Sequence, residues 1–424
     1  MNKFKLIGLN ILLLISQIDA LSPSISTNLT DKNDDSEIMK LMMYPWATFG
    51  EKELSLIKLG NITTSIAILS DTKIITGSYN GTLTIWTLNP IDKTYSFIEL
   101  QGHTGIITSI AITQNGQIIT GSSDHTGRVW TKNPENQTYS SIELKGHTNL
   151  ISSIATYPNG KIVTGSWDHT ARIWTHNPKN NTYNSIELKG HSGEISTVVI
   201  KPNGIIVTGS WDHTARVWTR NPNSDTYSST ELRGHSGMIT TISILPNRQV
   251  VTGSSDRTAR IWTVNLNNKK YSSYVLAGHK GGITSITTSP SSEIITASLD
   301  GTARVWKLHN TNLQDIYEHS NEEHFLEKCT FIELRGHTGP VISVILSSNR
   351  KIITGSLDNT ARVWTMNPDN GKYSPYELRG HLGRIISMTI SPNNQIITSS
   401  ADNTIRAWNQ DPSYGTYSSI LLTK

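Results

Sequence analysis

Seven times along this chain a histidine is followed nineteen residues later by a serine, and two residues beyond that by an aspartate. The sets are His103, Ser122, Asp124; His147, Ser166, Asp168; His191, Ser210, Asp212; His235, Ser254, Asp256; His279, Ser298, Asp300; His337, Ser356, Asp358; and His381, Ser400, Asp402. Serine, histidine and carboxylate are the parts of a nucleophilic triad, in which the ring takes the hydroxyl proton and the carboxylate orients the ring. A triad is needed once, whereas these sets recur in unit after unit. Each also has a tryptophan six residues after its aspartate: Trp130, Trp174, Trp218, Trp262, Trp306, Trp364 and Trp408. Repetition at fixed spacing reads as architecture, with polar side chains satisfying one another's hydrogen bonds inside a blade of structure. No catalytic residue is assigned.

Metal chemistry fares no better. Fourteen extra residues separate Trp306 from the next unit, and this insertion, at about 309–328, holds His309, His319, Glu322, Glu323 and His324, with Cys329 just after it. His319, His324 and Cys329 stand five apart, and on a helix such steps turn successive ligands by about 140°. They do not converge on one ion, so no metal and no cofactor is expected. The single cysteine excludes an intrachain disulfide and a cysteine cage. Thirty-seven basic and 33 acidic residues give a net charge of +4 with no dominant basic run, which does not suggest nucleic acid as a partner. Arg128, Arg172, Arg216, Arg260, Arg304, Arg362 and Arg406, each two residues before a tryptophan, read as structural or edge-lining residues.

The elements that must position these residues follow from the repeat. Trp86, Trp130, Trp174, Trp218, Trp262 and Trp306 are each 44 residues apart; Trp364 follows after 58, and Trp408 after another 44. Residues 107–112 (Ile-Thr-Ser-Ile-Ala-Ile) alternate at period two, and 117–122, 128–131 and 139–144 are short and rich in β-branched residues. Asn-Gly at 115–116, Asp-His-Thr-Gly at 124–127 and Asn-Pro at 133–134 supply the turns between them. Four short strands per unit, eight units, and a closing tryptophan are the signature of a propeller blade array. The first unit is degenerate: Leu59 stands in the histidine position and Asn80 in the aspartate position.

The units resemble WD40 repeats over about residues 54–424. The resemblance implies an all-β, eight-bladed WD40-type β-propeller with four antiparallel strands per blade. It also implies that each His, Ser, Asp and Trp form a hydrogen-bonded tetrad, the Asp accepting from the His ring, the His reaching the Ser, and the Ser reaching the indole N–H. The aspartate that usually follows the final tryptophan is replaced, mostly by threonine (Thr131, Thr175, Thr219). Three positions per unit are implied to face the top entrance: the third and fifth after the histidine and the one before the aspartate, as in Ile106, Thr108 and Ser123. From these positions Leu150, Trp167, Glu194, Trp211, Met238 and Arg384 are expected to bind a partner, with the indoles of adjacent units as anchors.

Lys3 and Lys5 precede the apolar stretch Leu6–Ile18, followed by small and polar residues. This is the layout of a secretory signal, expected at 1–20, with a flexible segment at 21–53. The expected function is a secreted or periplasmic, monomeric, non-catalytic scaffold for a protein or peptide partner. The alternatives are a carbohydrate- or small-ligand-binding propeller and an extracytoplasmic propeller enzyme. Two segments compete for the outer strand of the last blade, 54–59 and 417–422; the second copies the Tyr-Ser-Ser-Ile pattern and is the better match.

Overall fold

The structure, a computed structural model, describes residues 62–157, 160–201, 203–265, 270–308 and 329–422. The expected signal segment, the 21–53 segment and the insertion with its histidines lie outside the described residues. Within the described residues the chain forms 32 strands and no helix. They build eight four-stranded antiparallel sheets, each from consecutive strands. In the third sheet the strands are Ile151–Thr156, Ile162–Ser166, Ala171–Asn177 and Thr182–Leu188.

Burial falls off from the second strand outward. Ile162–Ser166 is buried along its whole length, as a β-branched run sandwiched on both faces must be. Thr182–Leu188 keeps only Leu188 fully buried. The hydrophobic cores lie between sheets: Ile119, Val129 and Leu144 of the second pack with Ile151, Ile162 and Trp174 of the third. Ile397, Ala407 and Leu422 of the eighth pack with Ile66, Ile74 and Trp86 of the first, so the array closes on itself. Close approach between neighbours keeps one second-strand position small, glycine in six blades with Ala297 and Ser399 in the other two. A Cβ on Gly121 would sit 2.6 Å from Ile151 Cγ2 of the next sheet.

The last sheet is completed by Tyr417–Leu422, which pairs with Ile405–Gln410 in the register Trp408↔Ser419. The first sheet begins at Thr63–Ser70. Each blade is therefore one contiguous stretch of chain.

Candidate functional site

The repeated polar residues come together inside each blade, with one substitution in the expected membership. In the third blade the Trp174 indole N–H donates to Thr164 Oγ1 (2.9 Å), which lies 2.7 Å from His147 Nε2. His147 Nδ1 in turn is 2.7 Å from Asp168 Oδ2. A neutral ring protonated on Nδ1 satisfies every atom of this chain: indole to threonine, threonine to imidazole, imidazole to carboxylate. The threonine, not the serine, is the link. Thr120, Thr208, Thr252, Thr296, Thr354 and Thr398 hold the same place beside His103, His191, His235, His279, His337 and His381.

The serines assigned to the relay do something else. Ser166 Oγ donates to Asn149 O (3.0 Å) and accepts the Asp168 N–H (3.1 Å), tying the strand end to the loop above it. Ser122, Ser210, Ser254, Ser298, Ser356 and Ser400 accept the corresponding aspartate N–H. Threonine and serine stand two apart on one strand face. Trp174 pairs with Ile162, which brings its indole to the nearer of the two. The ring nitrogens of these histidines are thereby taken by threonine and, in all but the eighth blade, aspartate, and among the described residues no Ser–His pair is set up for proton transfer.

Burial alone would raise the carboxyl of Asp168, but bonds from the His147 ring, the Thr170 hydroxyl and the Thr148 N–H outweigh it and hold it well below the usual range. The eighth blade is looser. His381 Nδ1 lies 2.7 Å from Thr404 Oγ1 and 3.5 Å from Asp402 Oδ2, and burial pulls its pKa down to about 4. In the first blade Trp86 still donates to Thr76 Oγ1 (2.9 Å), while Ser78 turns to Asn80 Oδ1 (2.8 Å). The arginines brace the blades from outside: Arg216, Arg304 and Arg362 pair with Glu231, Glu333 and Glu377 of the outer strands at 2.7–2.9 Å. Cys329 opens an outer strand, is buried, and has its thiol pKa pushed up to about 11 by burial. No group of three or more His, Cys, Asp or Glu side chains among the described residues is placed to hold a metal ion, and no helix there is long and apolar enough to cross a membrane.

The positions expected to face the top entrance divide three ways. The fifth after the histidine, where it carries a hydroxyl, is a structural staple. Ser196 Oγ donates to Gly209 O of its own blade (3.1 Å) and approaches Ile239 O of the next (2.6 Å). Thr64, Thr108, Ser152, Thr240 and Thr284 likewise bond across to the following blade. The third position is mostly packed inward: Leu150 and Met238, expected on the surface, are only 6% and 5% exposed. Their backbone carbonyls instead receive the N–H groups of Trp167 and Ser255, which pins the side chains beneath the turn. Glu194 and Arg384 stay half-buried at the surface.

The position before the aspartate is the one that presents groups outward. Trp167 and Trp211, half-buried, lie with ring centroids 5.1 Å apart and planes tilted by 52°. Each belongs to a turn whose next-but-one residue is an exposed histidine in left-handed conformation, His169 (φ 69°) and His213 (φ 71°), with His125 (φ 71°) on the blade before. Glycine fills that place at Gly81 and Gly301. A side chain held there costs about 1 kcal/mol or more. On the eighth blade Leu382 is 88% exposed, where other units carry Thr104, Thr148, Ser192, Ser236, Lys280 and Thr338. Leucine there breaks a column of small or polar residues, which is a signal present in the sequence itself.

A family model described as "WD domain, G-beta repeat" matches residues 94–131, 138–175, 183–219, 226–263, 270–307, 327–365 and 373–409. No curated protein sequence matches the chain. Among solved structures, the WD40 beta propeller domain of Doa1 superposes with a TM-score of 0.53 at 21% identity, over 74% of this chain and 96% of that one. At that identity the likeness concerns the fold.

Proposed function

We propose that this chain, which belongs to the WD40 repeat family, is a non-catalytic scaffold that grips a protein or peptide partner through its tryptophan-bearing turns. Propellers of this family are commonly protein-interaction scaffolds, and that general role is the premise. The observation that carries the finer reading is the Trp167–Trp211 pair. Two large apolar rings from adjacent blades meet at the surface, a placement favoured for binding anchors. Glu194, between them in sequence, and the exposed imidazoles of His125, His169 and His213 supply polar groups around them. Leu382 and Arg384 offer a second contact on the eighth blade. Leu150 and Met238 support the site from below without touching the partner. The N-terminal layout of Lys3, Lys5 and Leu6–Ile18 supports work outside the cytoplasm.

Affinity capture from the host's extracytoplasmic fraction tests this. The wild-type protein should retain a partner that the Trp167→Ala, Trp211→Ala double variant loses, while both proteins stay folded. Equal capture by the folded double variant defeats the assignment, and a glycan eluted in place of a protein would favour the carbohydrate alternative.

A further inference from the structure

The turns between first and second strands, and between third and fourth, lie at the opposite end of the ring from the tryptophans, because successive strands reverse direction. On that side a cleft of about 260 Å³ opens between the seventh and eighth blades. Lys351 stands in it at the start of the strand Ile352–Ser356. Its ammonium donates to Gln410 Oε1 (2.5 Å), lies 3.4 Å from the Tyr417 hydroxyl, and sits 5.8 Å from the centre of that ring. Partial burial pulls its pKa down, and no carboxylate lines the cleft.

Ser347 and Ser348 meet Asn349 Oδ1 (2.5 Å) and Asn394 Oδ1 (2.8 Å). Asn393 Oδ1 takes the Ser391 hydroxyl and the Gln395 N–H (3.3 Å). With their oxygens so occupied, Asn349, Asn393 and Asn394, which line the same cleft as Lys351, keep their NH₂ groups to donate. Asn349 and Asn393 belong to the repeat, matching Asn115, Asn159, Asn203 and Asn247, whereas Asn394 and Asn409 depart from it. Asn394 stands where the other turns hold Gly116, Gly160, Gly204, Arg248, Ser292 and Arg350, and Asn409 where most blades hold threonine. A half-buried cation with amide donors and no counter-charge is built to receive negative oxygen.

We infer that the cleft between the seventh and eighth blades is a binding site for a small oxyanion, a carboxylate or phosphate group held by Lys351 and the Asn349, Asn393 and Asn394 amides. Its test is independent of the tryptophans. Calorimetric titration of the full-length protein would use glucuronate and inorganic phosphate as probes, with glucose as the uncharged control. At least one anion should bind saturably and glucose should not, and whichever anion binds identifies the source of the oxyanion. Lys351→Met should weaken binding by about tenfold or more, and Asn394→Gly, which installs the residue of the second, third and fourth blades, should weaken it with the fold intact. Lys73→Met, at the matching place on the first blade, should leave it unchanged. Absence of saturable heat with both anions, or binding that survives Lys351→Met in folded protein, overturns the assignment.

Discussion

Thr164 holds two hydrogen bonds in the dry centre of its blade, one from Trp174 and one to His147. Replacing it with valine keeps the shape and leaves both partners unpaired, each at about 1–3 kcal/mol. Ser166, two residues on, makes bonds to backbone at the end of the strand, and its loss should cost about 1 kcal/mol. Denaturant unfolding should therefore show Thr164→Val destabilised by clearly more than Ser166→Ala, with an unchanged slope; the reverse order would restore serine to the relay. The sequence displays both residues with equal regularity. What it hides is the register that sets an indole above one hydroxyl and not the other. A usable signal was present: the threonine ten residues before each tryptophan persists as Thr76 in the first unit, where the histidine and aspartate are gone.

At the scale of the strand, blade boundaries were legible because the turn residues recur and the 44-residue spacing is broken only once, between Trp306 and Trp364. The outer strand of the last blade was legible for the same reason, since 417–422 copies its counterparts. Trp408 and Ala407 lie beneath it, almost wholly buried. Removing residues 411–424 should strip the partner from Ile405–Gln410 and expose an open, apolar sheet edge. Light scattering should then report aggregation, and a monomeric, cooperatively melting product would contradict the pairing. The inter-blade staples were not legible. Thr108 and Ser152 look like surface residues on an alternating strand, and their acceptors lie 43 residues away in sequence. Only the curvature of the closed ring brings those carbonyls within reach. The sequence also shows where such staples stop, since Ile342 and Ile386 replace the hydroxyl in the last two units.

Taken whole, the ring separates two kinds of surface. Its tetrads, staples and arginine braces recur in most blades and account for the fold, with Asn80 and Thr84 departing in the first blade and Ile342 and Ile386 in the last two; the other variation stands at the two ends. One end carries the paired indoles, three strained histidines and Leu382, and the other the Lys351 cleft. Trp167 and Trp211 were visible in the sequence as departures from the repeat. The inward packing of Leu150 and Met238 was not, because a loop position shows its direction only once the turn above it is folded. The proposed partner docks on the indole-bearing end. Hydrogen exchange of the protein with and without its captured partner tests it most directly. Exchange should slow in 145–150, 166–170, 189–194 and 210–214, and stay unchanged in the hairpins 133–138 and 177–182 at the other end. Protection confined to those hairpins, with the tryptophan turns exchanging as in the free protein, would contradict it.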